Sequence, residues 1–569
     1  MAAESSYLAI AVAYAEQAAK DRGKKFGRHM RLAAKRFLKD LDRARDPGCP
    51  FEMSEWHVDD VCSFIELLPH VEGQWSTTTI GLEPWQVFIL ANVFGFRRRS
   101  NGARRFNTAY IEVARKNAKS TLSSGIALYC LSEEGETGPQ VKTAATTGDQ
   151  ARIVFDVASK MASASTQYLE ARGVEVWKNA VTCAETGGNM KPINAKASTQ
   201  DGLNPHLTII DELHAHKDRK LFDVLRSAQG ARSNPLSWYI TTAGYDLQTV
   251  CYEQRTLAAK ILEGAVEADH YFAAIFSLDP DDDWRLERNW IKANPNYGVS
   301  IFPDKLREEV LEAKESPESE AEFKTKRCNI WLNSAATWLS LDAWDAAADP
   351  KITLDDLKGH RVALACDMSN RDDMTAIVAV AEIDGEVRIV PRFYLPRDVI
   401  QERVIKGLGF YRTWVDAGVV TATDGDWIDA ARIEEDIRAI ADDLDPVQIT
   451  FDTFGAGPDI ASRLDADGYP ASIMQYTAKN VGAAALELEA RVRRRSRLRH
   501  DGNPCLRWHA SNAVVERRVD GSILPKKESP MSMNKIDGIA ATVMAMSHLR
   551  LGEEERPRVI NYERGSLAL

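Results

Sequence analysis

Nowhere in the 569 residues does an apolar run approach the roughly 18 that a bilayer-spanning helix needs, and the first residues lack the basic-then-apolar order of a secretory signal. A cytosolic protein without a membrane span is expected. The eight cysteines (Cys49, Cys62, Cys130, Cys183, Cys251, Cys328, Cys366 and Cys505) form no C-x-x-C pair, which argues against a disulfide framework and against a thiolate zinc site. Buried free thiols are expected instead. Positive charge is not in excess either: 72 Lys and Arg stand against 83 Asp and Glu, a formal net charge of −11. That excludes a protein that coats nucleic acid with its whole surface. It leaves room for local basic tracks, for which Arg97-Arg98-Arg99 with Arg104-Arg105, and the run Arg491 to Arg499, are candidates beside the alternative of solvated faces. Internal repeats and low-complexity segments are also missing, and the length calls for about two to four domains.

Against these absences stands the stretch Pro205 to His214, in which Leu207-Thr208-Ile209-Ile210 runs into Asp211-Glu212. It reads as a buried parallel strand that delivers two carboxylates to the edge of a sheet, where open α/β sheets bind ligands. Asp211 can hold the magnesium of a bound nucleotide and Glu212 can position and deprotonate a water. A core strand before a helix N-terminus, where acids are favoured by the dipole, is the competing reading. A second stretch, Val113 to Thr121, sits at a strand-to-helix junction suited to cradling phosphates. Aligned on G-x-x-x-x-G-K-[ST], it places Lys119 at the β- and γ-phosphates and Ser120 on magnesium. Both glycines of that pattern are missing, replaced by Val113 and Ala118. Alanine in a left-handed conformation costs about 1–2 kcal/mol, so a basic surface turn remains open for this stretch taken alone.

Periodicity predicts a helical N-terminal arm over 1–55, with helical pattern from Ser6 to about Asp42, then strand and helix in alternation. Strands are expected at Phe106 to Val113, Gln140 to Ala145, Leu207 to Ile210 and Leu236 to Thr241, with helices at Ser120 to Leu131 and Gln150 to Met161. This alternation implies a mostly parallel, doubly wound sheet in a domain spanning 56–335. After a linker at 336–358 the rhythm changes. Strands Arg361 to Asp367, Thr375 to Ile383 and Val387 to Leu395, the last two joined by Asp384-Gly385, precede a helix near Asp398 to Val415 and a strand at Val447 to Phe451. Helices near Ala483 to Arg495 and Lys535 to Leu549 close a domain over 359–550 with the order of a ribonuclease-H-like mixed sheet, and 551–569 reads as a flexible tail.

In that second domain Asp367 ends the first strand, Asp452 follows a later one and Asp537 opens the last helix. Those points converge in a ribonuclease-H-like sheet. Clustered carboxylates are stabilised by divalent cations, and two metals can activate water and stabilise the leaving oxygen of a phosphodiester. Each aspartate alone is more often a strand-end or capping residue.

The order of Gln86, Arg115-Lys116-Asn117-Ala118-Lys119-Ser120-Thr121, Asp211-Glu212 and Ser237 to Gly244 resembles the ATPase of the large terminase subunit of tailed bacteriophages, whose deviant phosphate loop has the form R-K-N-[GA]-K-[ST]. Thr147 to Arg152 and Ser198 to His206 also resemble segments of that family, as do Asp367-x-Ser369 with Asp373-Met374-Thr375-Ala376, and His500 to Pro504 through Trp508, Asn512, Lys526 and Asp537-Gly538. The resemblance covers about residues 50 to 550. It implies a P-loop NTPase domain followed by a ribonuclease-H-like nuclease domain, and a motor that hydrolyses ATP to drive viral double-stranded DNA into a procapsid and cuts concatemeric DNA. By the same resemblance Gln86 contacts adenine, Arg115 is a cation at the γ-phosphate, Thr241 and Thr242 form a coupling motif, and Asp373, rather than Asp372, supports a metal. Arg97, Arg98, Arg99, Arg104 or Arg105 would supply a finger to a neighbouring subunit, and Arg491 to Arg499 a phosphate track. Implied too are Mg²⁺ in the motor, Mg²⁺ or Mn²⁺ in the nuclease, a small terminase subunit, the portal protein, a homo-oligomeric ring, and a place in the host cytoplasm and, transiently, at the portal vertex. The alternatives are a helicase-like DNA translocase fused to a nuclease in repair or defence, and a degenerate ATPase that scaffolds the nuclease.

Overall fold

The computed structural model describes residues 6–550 except 74–77, 166, 195–202, 217–218, 248, 333–337, 372, 406–407, 519 and 528–533. The expected tail, Asp372, the start of the linker and Ser198 to Gly202 lie outside the described residues. The chain divides into two compact units, Met1–Glu315 with Glu322–Leu332, and Ser316–Ala321 with Asn333–Leu569.

The first unit is built on an eight-stranded sheet in the order Tyr271–Ile275, Thr108–Glu112, Leu236–Thr241, Leu207–Asp211, Gln140–Ala145, Gly188–Asn194, Ala180–Cys183, Val174–Trp177. The first six strands are mutually parallel and the last two pair antiparallel. Leu207–Asp211 and Leu236–Thr241 are buried along their whole length, as strands covered on both faces must be. Two consequences of this order matter for function. The strand before the phosphate-loop candidate and the strand before Asp211-Glu212 are separated by one strand, Leu236–Thr241. All three end on the same edge, because they are parallel.

The described part of the segment expected as an arm, from Ser6 onward, packs instead into this unit's core. Helices Tyr7–Lys20 and Arg28–Ala44 bury Ala11, Ala15, Ala18, Met30 and Phe37, and the Phe37 ring meets Phe88 and Phe96 edge-on. Three of the basic residues expected to face a neighbour are buried as well. Arg105 pairs with Asp40 at 2.8 Å and Asp269 at 2.7 Å, Arg104 pairs with Glu134, and Arg97 donates to the Phe94 carbonyl. These guanidiniums are structural, and Arg99 is held by Glu52, which leaves Arg98 as the exposed member without an ion pair among the described residues.

The second unit carries a mixed sheet in the order Thr421–Thr423, Glu386–Pro396, Thr375–Ile383, Val362–Asp367, Gln448–Phe451, Ala471–Ile473, with Leu498–His500 also on Glu386–Pro396. Val362–Asp367, Thr375–Ile383 and Glu386–Pro396 are antiparallel, whereas Gln448–Phe451 runs parallel to Val362–Asp367. Asp384 and Gly385 both have positive φ, 52° and 75°, as the tight hairpin between the second and third strands requires. This is the expected ribonuclease-H-like arrangement. The predicted helix Asp398 to Val415 is two helices, Arg397–Ile405 and Phe410–Asp416. Trp338 and Trp344, in the segment expected as a linker, are buried in this unit's core.

All eight cysteines are free and buried. Among the described residues no helix is long and apolar enough to cross a membrane.

Candidate nucleotide site and carboxylate cluster

The loop from Val113 to Ala118 leaves the strand Thr108–Glu112 and enters the helix Lys119–Ser132. Lys116 and Ala118 both adopt the left-handed conformation, at φ 69° and 55°. Ala118 therefore occupies the backbone state that glycine usually supplies. The loop is held open by a clamp that sequence reasoning missed. Asn117 donates to the Ala114 carbonyl at 3.1 Å and to Asn294 Oδ1 at 3.1 Å, and accepts from the Asn296 N–H at 3.0 Å. Ser300 donates to the Lys116 carbonyl at 2.7 Å, and Trp85 fixes Asn296 through Oδ1 at 2.6 Å. The only sequence signal is polarity, the amides of Asn294 and Asn296 around Pro295.

Lys119 is buried, and its ammonium donates to Thr242 Oγ1 at 2.6 Å and to the Val113 carbonyl at 3.3 Å. Among the described residues no carboxylate lies within ion-pairing distance of it. Desolvation lowers its proton affinity, and the nearby charges of Glu212 and Asp211 oppose that effect. A buried cation without a carboxylate partner among the described residues, at a strand-to-helix junction, fits the phosphates of a nucleotide. Ser120 and Thr121 follow it in the first helical turn.

The neighbouring carboxylates are held in different states. Asp211 is pushed up to about 6 by burial and by Glu212. Glu212 is subject to the same burial, but His214, Lys119 and Arg115 outweigh it and hold its carboxyl below the usual range. Its backbone is left-handed at φ 49°, and its Oε2 lies 3.1 Å from His214 Nδ1. Thr241 ties this corner together, accepting from the His214 N–H at 3.1 Å and donating to the Thr242 carbonyl at 3.0 Å. Arg115 is anchored by its backbone N–H on the Lys326 carbonyl at 3.0 Å, and its Nε is buried without a hydrogen bond among the described residues. Gln86, placed at the adenine by the resemblance, is buried in the first turn of the helix Pro84–Leu90, where its Oε1 accepts from the Glu83 N–H at 2.9 Å.

In the second unit the adjacent parallel strands bring Asp367 and Asp452 together. Asp452 Oδ1 accepts from the Met368 N–H at 3.1 Å, the residue after Asp367. Asp537, at the start of the helix Asp537–Arg550, accepts from the Met374 N–H at 3.1 Å. The helix can approach because Gly538 has no side chain: a Cβ there would lie 2.7 Å from the Phe393 ring. Its N–H donates to His509 Nδ1 at 2.8 Å.

Desolvation and the charges of Asp537 and Asp452 raise Asp367 well above the usual carboxylate range, and burial raises Asp452 and Asp537 to about 6. Crowded carboxylates that repel one another fit divalent cations. Their oxygens do not all lie within 4.8 Å of one another; among the described residues that closeness is reached by Cys130, Glu134 and His206, where Arg104 already supplies the cation.

Asp373 departs from expectation. Its carboxylate pairs with Lys527 at 2.6 Å and with Lys535, and these lysines, working against burial, hold it below the usual range. Two lysines thus engage the carboxylate that the resemblance offers to a metal. Lys526, the expected lysine, instead pairs with Glu516 at 2.7 Å, and its neighbour Lys527 lies 3.9 Å from Asp537. Tyr476 was also missed: its hydroxyl is buried without a hydrogen bond among the described residues, within electrostatic reach of Asp367. Of the basic run, Arg491 is tied to Glu487 at 2.8 Å and Glu382 at 3.0 Å, and Arg499 lies 3.6 Å from Glu386.

Two family descriptions match the chain: "Terminase large subunit, ATPase domain" over residues 84–260 and "Terminase large subunit, endonuclease domain" over residues 265–553. It belongs to the terminase large-subunit family. Similar proteins include Protein YmfN of Escherichia coli (strain K12), 35% identical over 378 residues that make up 64% of this chain and 82% of that protein. The large terminase subunit of Enterobacteria phage HK97 is 26% identical over 495 residues, 85% of this chain and 94% of that one. Among solved structures, the crystal structure of the HK97 bacteriophage large terminase matches with 25% identity and a TM-score of 0.43, covering 86% of this chain and 99% of that chain. This terminase large subunit is an ATPase and a metal-dependent endonuclease, a phage DNA-packaging motor with a nuclease. Use of a nucleotide and of divalent metal follows, as do DNA and packaging partners in general. The helicase-like and scaffold readings are not favoured. The endonuclease match begins inside the first compact unit, which extends to Leu332.

Proposed function

We propose that ATP is bound at the loop Arg115 to Thr121, with Lys119 on the β- and γ-phosphates, Ser120 and Asp211 holding Mg²⁺, Glu212 orienting the attacking water and Arg115 countering charge at the γ-phosphate. Lys116, Asn117, Ala118 and Thr121 complete the phosphate cradle, Gln86 meets the base, and Thr241 with Thr242 senses the phosphates. The observation that carries this reading is the buried, carboxylate-free ammonium of Lys119, donating to Thr242 beside the Asp211-Glu212 pair. A bound phosphate supplies the counter-charge that this cation lacks.

In the nuclease, Asp367, Asp452 and Asp537 hold Mg²⁺ or Mn²⁺, which when bound activates water and stabilises the leaving oxygen. Asp373 contributes by orienting Lys527 and Lys535. We further propose that the ATPase occupies the first compact unit and the nuclease the second. The packaging machine is a homo-oligomeric ring that engages a small terminase subunit and the portal protein in the host cytoplasm.

Cleavage of supercoiled plasmid with Mg²⁺ or Mn²⁺, comparing the parent with Asp452→Asn, tests the nuclease assignment. Cutting that vanishes in the variant is expected; equal cutting by both proteins overturns it.

A further inference from the structure

At the N-terminal edge of the first unit's sheet, away from the phosphate loop, a polar cavity of about 380 Å³ opens beside the starts of Thr108–Glu112 and Leu236–Thr241. A strand of five residues spans about 17 Å, so this cavity and the nucleotide site stand at opposite ends of the same strands. Four of the residues lining it are Arg98, Arg104, Arg226 and Arg232, and none is acidic. The two inner arginines are neutralised, Arg104 by Glu134 and Arg232 by Glu136 at 2.7 Å. The two outer ones are exposed and have no ion pair among the described residues.

Acids on neighbouring segments are already taken. Asp223, one turn before Arg226, is held by Arg219 at 2.9 Å, and Asp269 by Arg105 at 2.7 Å. The same charges reach His270, whose proton affinity is lowered by burial and further by Arg98 and Arg226. The floor is rigid, since Gln229 is locked by Ser237 at 2.6 Å and by the Leu236 carbonyl at 3.0 Å. Uncompensated guanidiniums over a polar, preorganised floor repel cations and offer little to an apolar ligand. They suit phosphate. In a chain of net charge −11 such a spot stands out, and two rim cations suit a chain of phosphates better than one small ion.

We propose that this cavity grips the phosphodiester backbone of duplex DNA, with Arg98 and Arg226 each neutralising a phosphate. The proposal rests on the reading of the chain as a DNA-packaging motor and assigns one surface to that task. Because phosphate contacts position without reading bases, the grip is independent of sequence.

The test is the affinity of the full-length chain for a 30-base-pair duplex at salt concentrations from about 50 to 200 mM, for the parent, Arg98→Gln/Arg226→Gln and Arg98→Lys/Arg226→Lys. Each lost phosphate contact removes about 0.9 from the slope of log affinity against log salt. The Gln pair is expected to lower that slope by about two, equally for two unrelated duplex sequences, with Tm unchanged; the Lys pair is expected to retain most of it. An unchanged slope in the Gln pair overturns the proposal, as does competition by millimolar inorganic phosphate that vanishes in the Gln pair while duplex affinity stays the same. Absence of duplex binding by the parent would instead overturn the reading that this chain grips DNA on its own, and this site with it.

Discussion

Ala118 supports a left-handed backbone at φ 55°, and Lys119 a buried charge, in consecutive positions. Ala118→Gly relieves the steric cost and raises the unfolded chain's entropy by a similar amount, so stability within about 1 kcal/mol of the parent and retained ATP hydrolysis are expected. Ala118→Val, β-branched in the same conformation, should destabilise by about 1–2 kcal/mol and weaken nucleotide binding, as thermal melts with and without ATP will show. Lys119→Ala should reduce ATP turnover by about 100-fold or more.

The aspartates of the second unit carry a pH signature. The folded-state values of Asp452 and Asp537 lie near 6, above the unfolded range, so in chelator the fold favours their protonated forms. The stabilisation is greatest in acid and is lost as pH rises from about 4 through about 6. The Tm of the chelated protein should therefore fall across that window, and Asp452→Asn should flatten the fall. Mg²⁺ should raise the Tm of the parent at pH 7 more than that of the variant.

At the level of elements, the docking of the helix Asp537–Arg550 depends on Gly538. Gly538→Ala places a methyl 2.7 Å from the Phe393 ring and 3.0 Å from His509 Nδ1. Displacing the helix to make room should cost about 1–3 kcal/mol and move Asp537 away from its partners, so plasmid cleavage should fall at least about tenfold while ATP hydrolysis persists. Elements like this helix were legible because apolar period and turn chemistry are local. Gln140–Ala145, Leu236–Thr241 and Thr375–Ile383 have the limits their apolar runs imply, and Asp384-Gly385 encodes its hairpin directly. The apolar run of Tyr271–Ile275 carries the same signal and forms the edge strand of the first sheet. The break between Arg397–Ile405 and Phe410–Asp416 was masked by continuous helical periodicity. Partners distant in sequence left no pattern: Asn117 meets Asn294 across 177 residues, and Asp373 meets Lys527 across 154. The arginines misled for the reverse reason, because a basic run looks solvated until one knows that Asp40 and Glu134 wait inside the fold.

Across the whole molecule, two chemistries sit in two compact units with separate cores, and single changes should separate them. Lys119→Ala is expected to lose ATP turnover and keep plasmid cleavage, whereas Asp452→Asn should do the opposite; assays of both activities on both variants decide this. The native thiols add a practical consequence. All eight are buried, and burial pushes up the proton affinity of Cys62, Cys251, Cys328, Cys366 and Cys505 further. Native cysteines of this kind react slowly with maleimides. A dye pair placed on two engineered surface cysteines would thus report the distance between the units during ATP turnover, without a cysteine-free background.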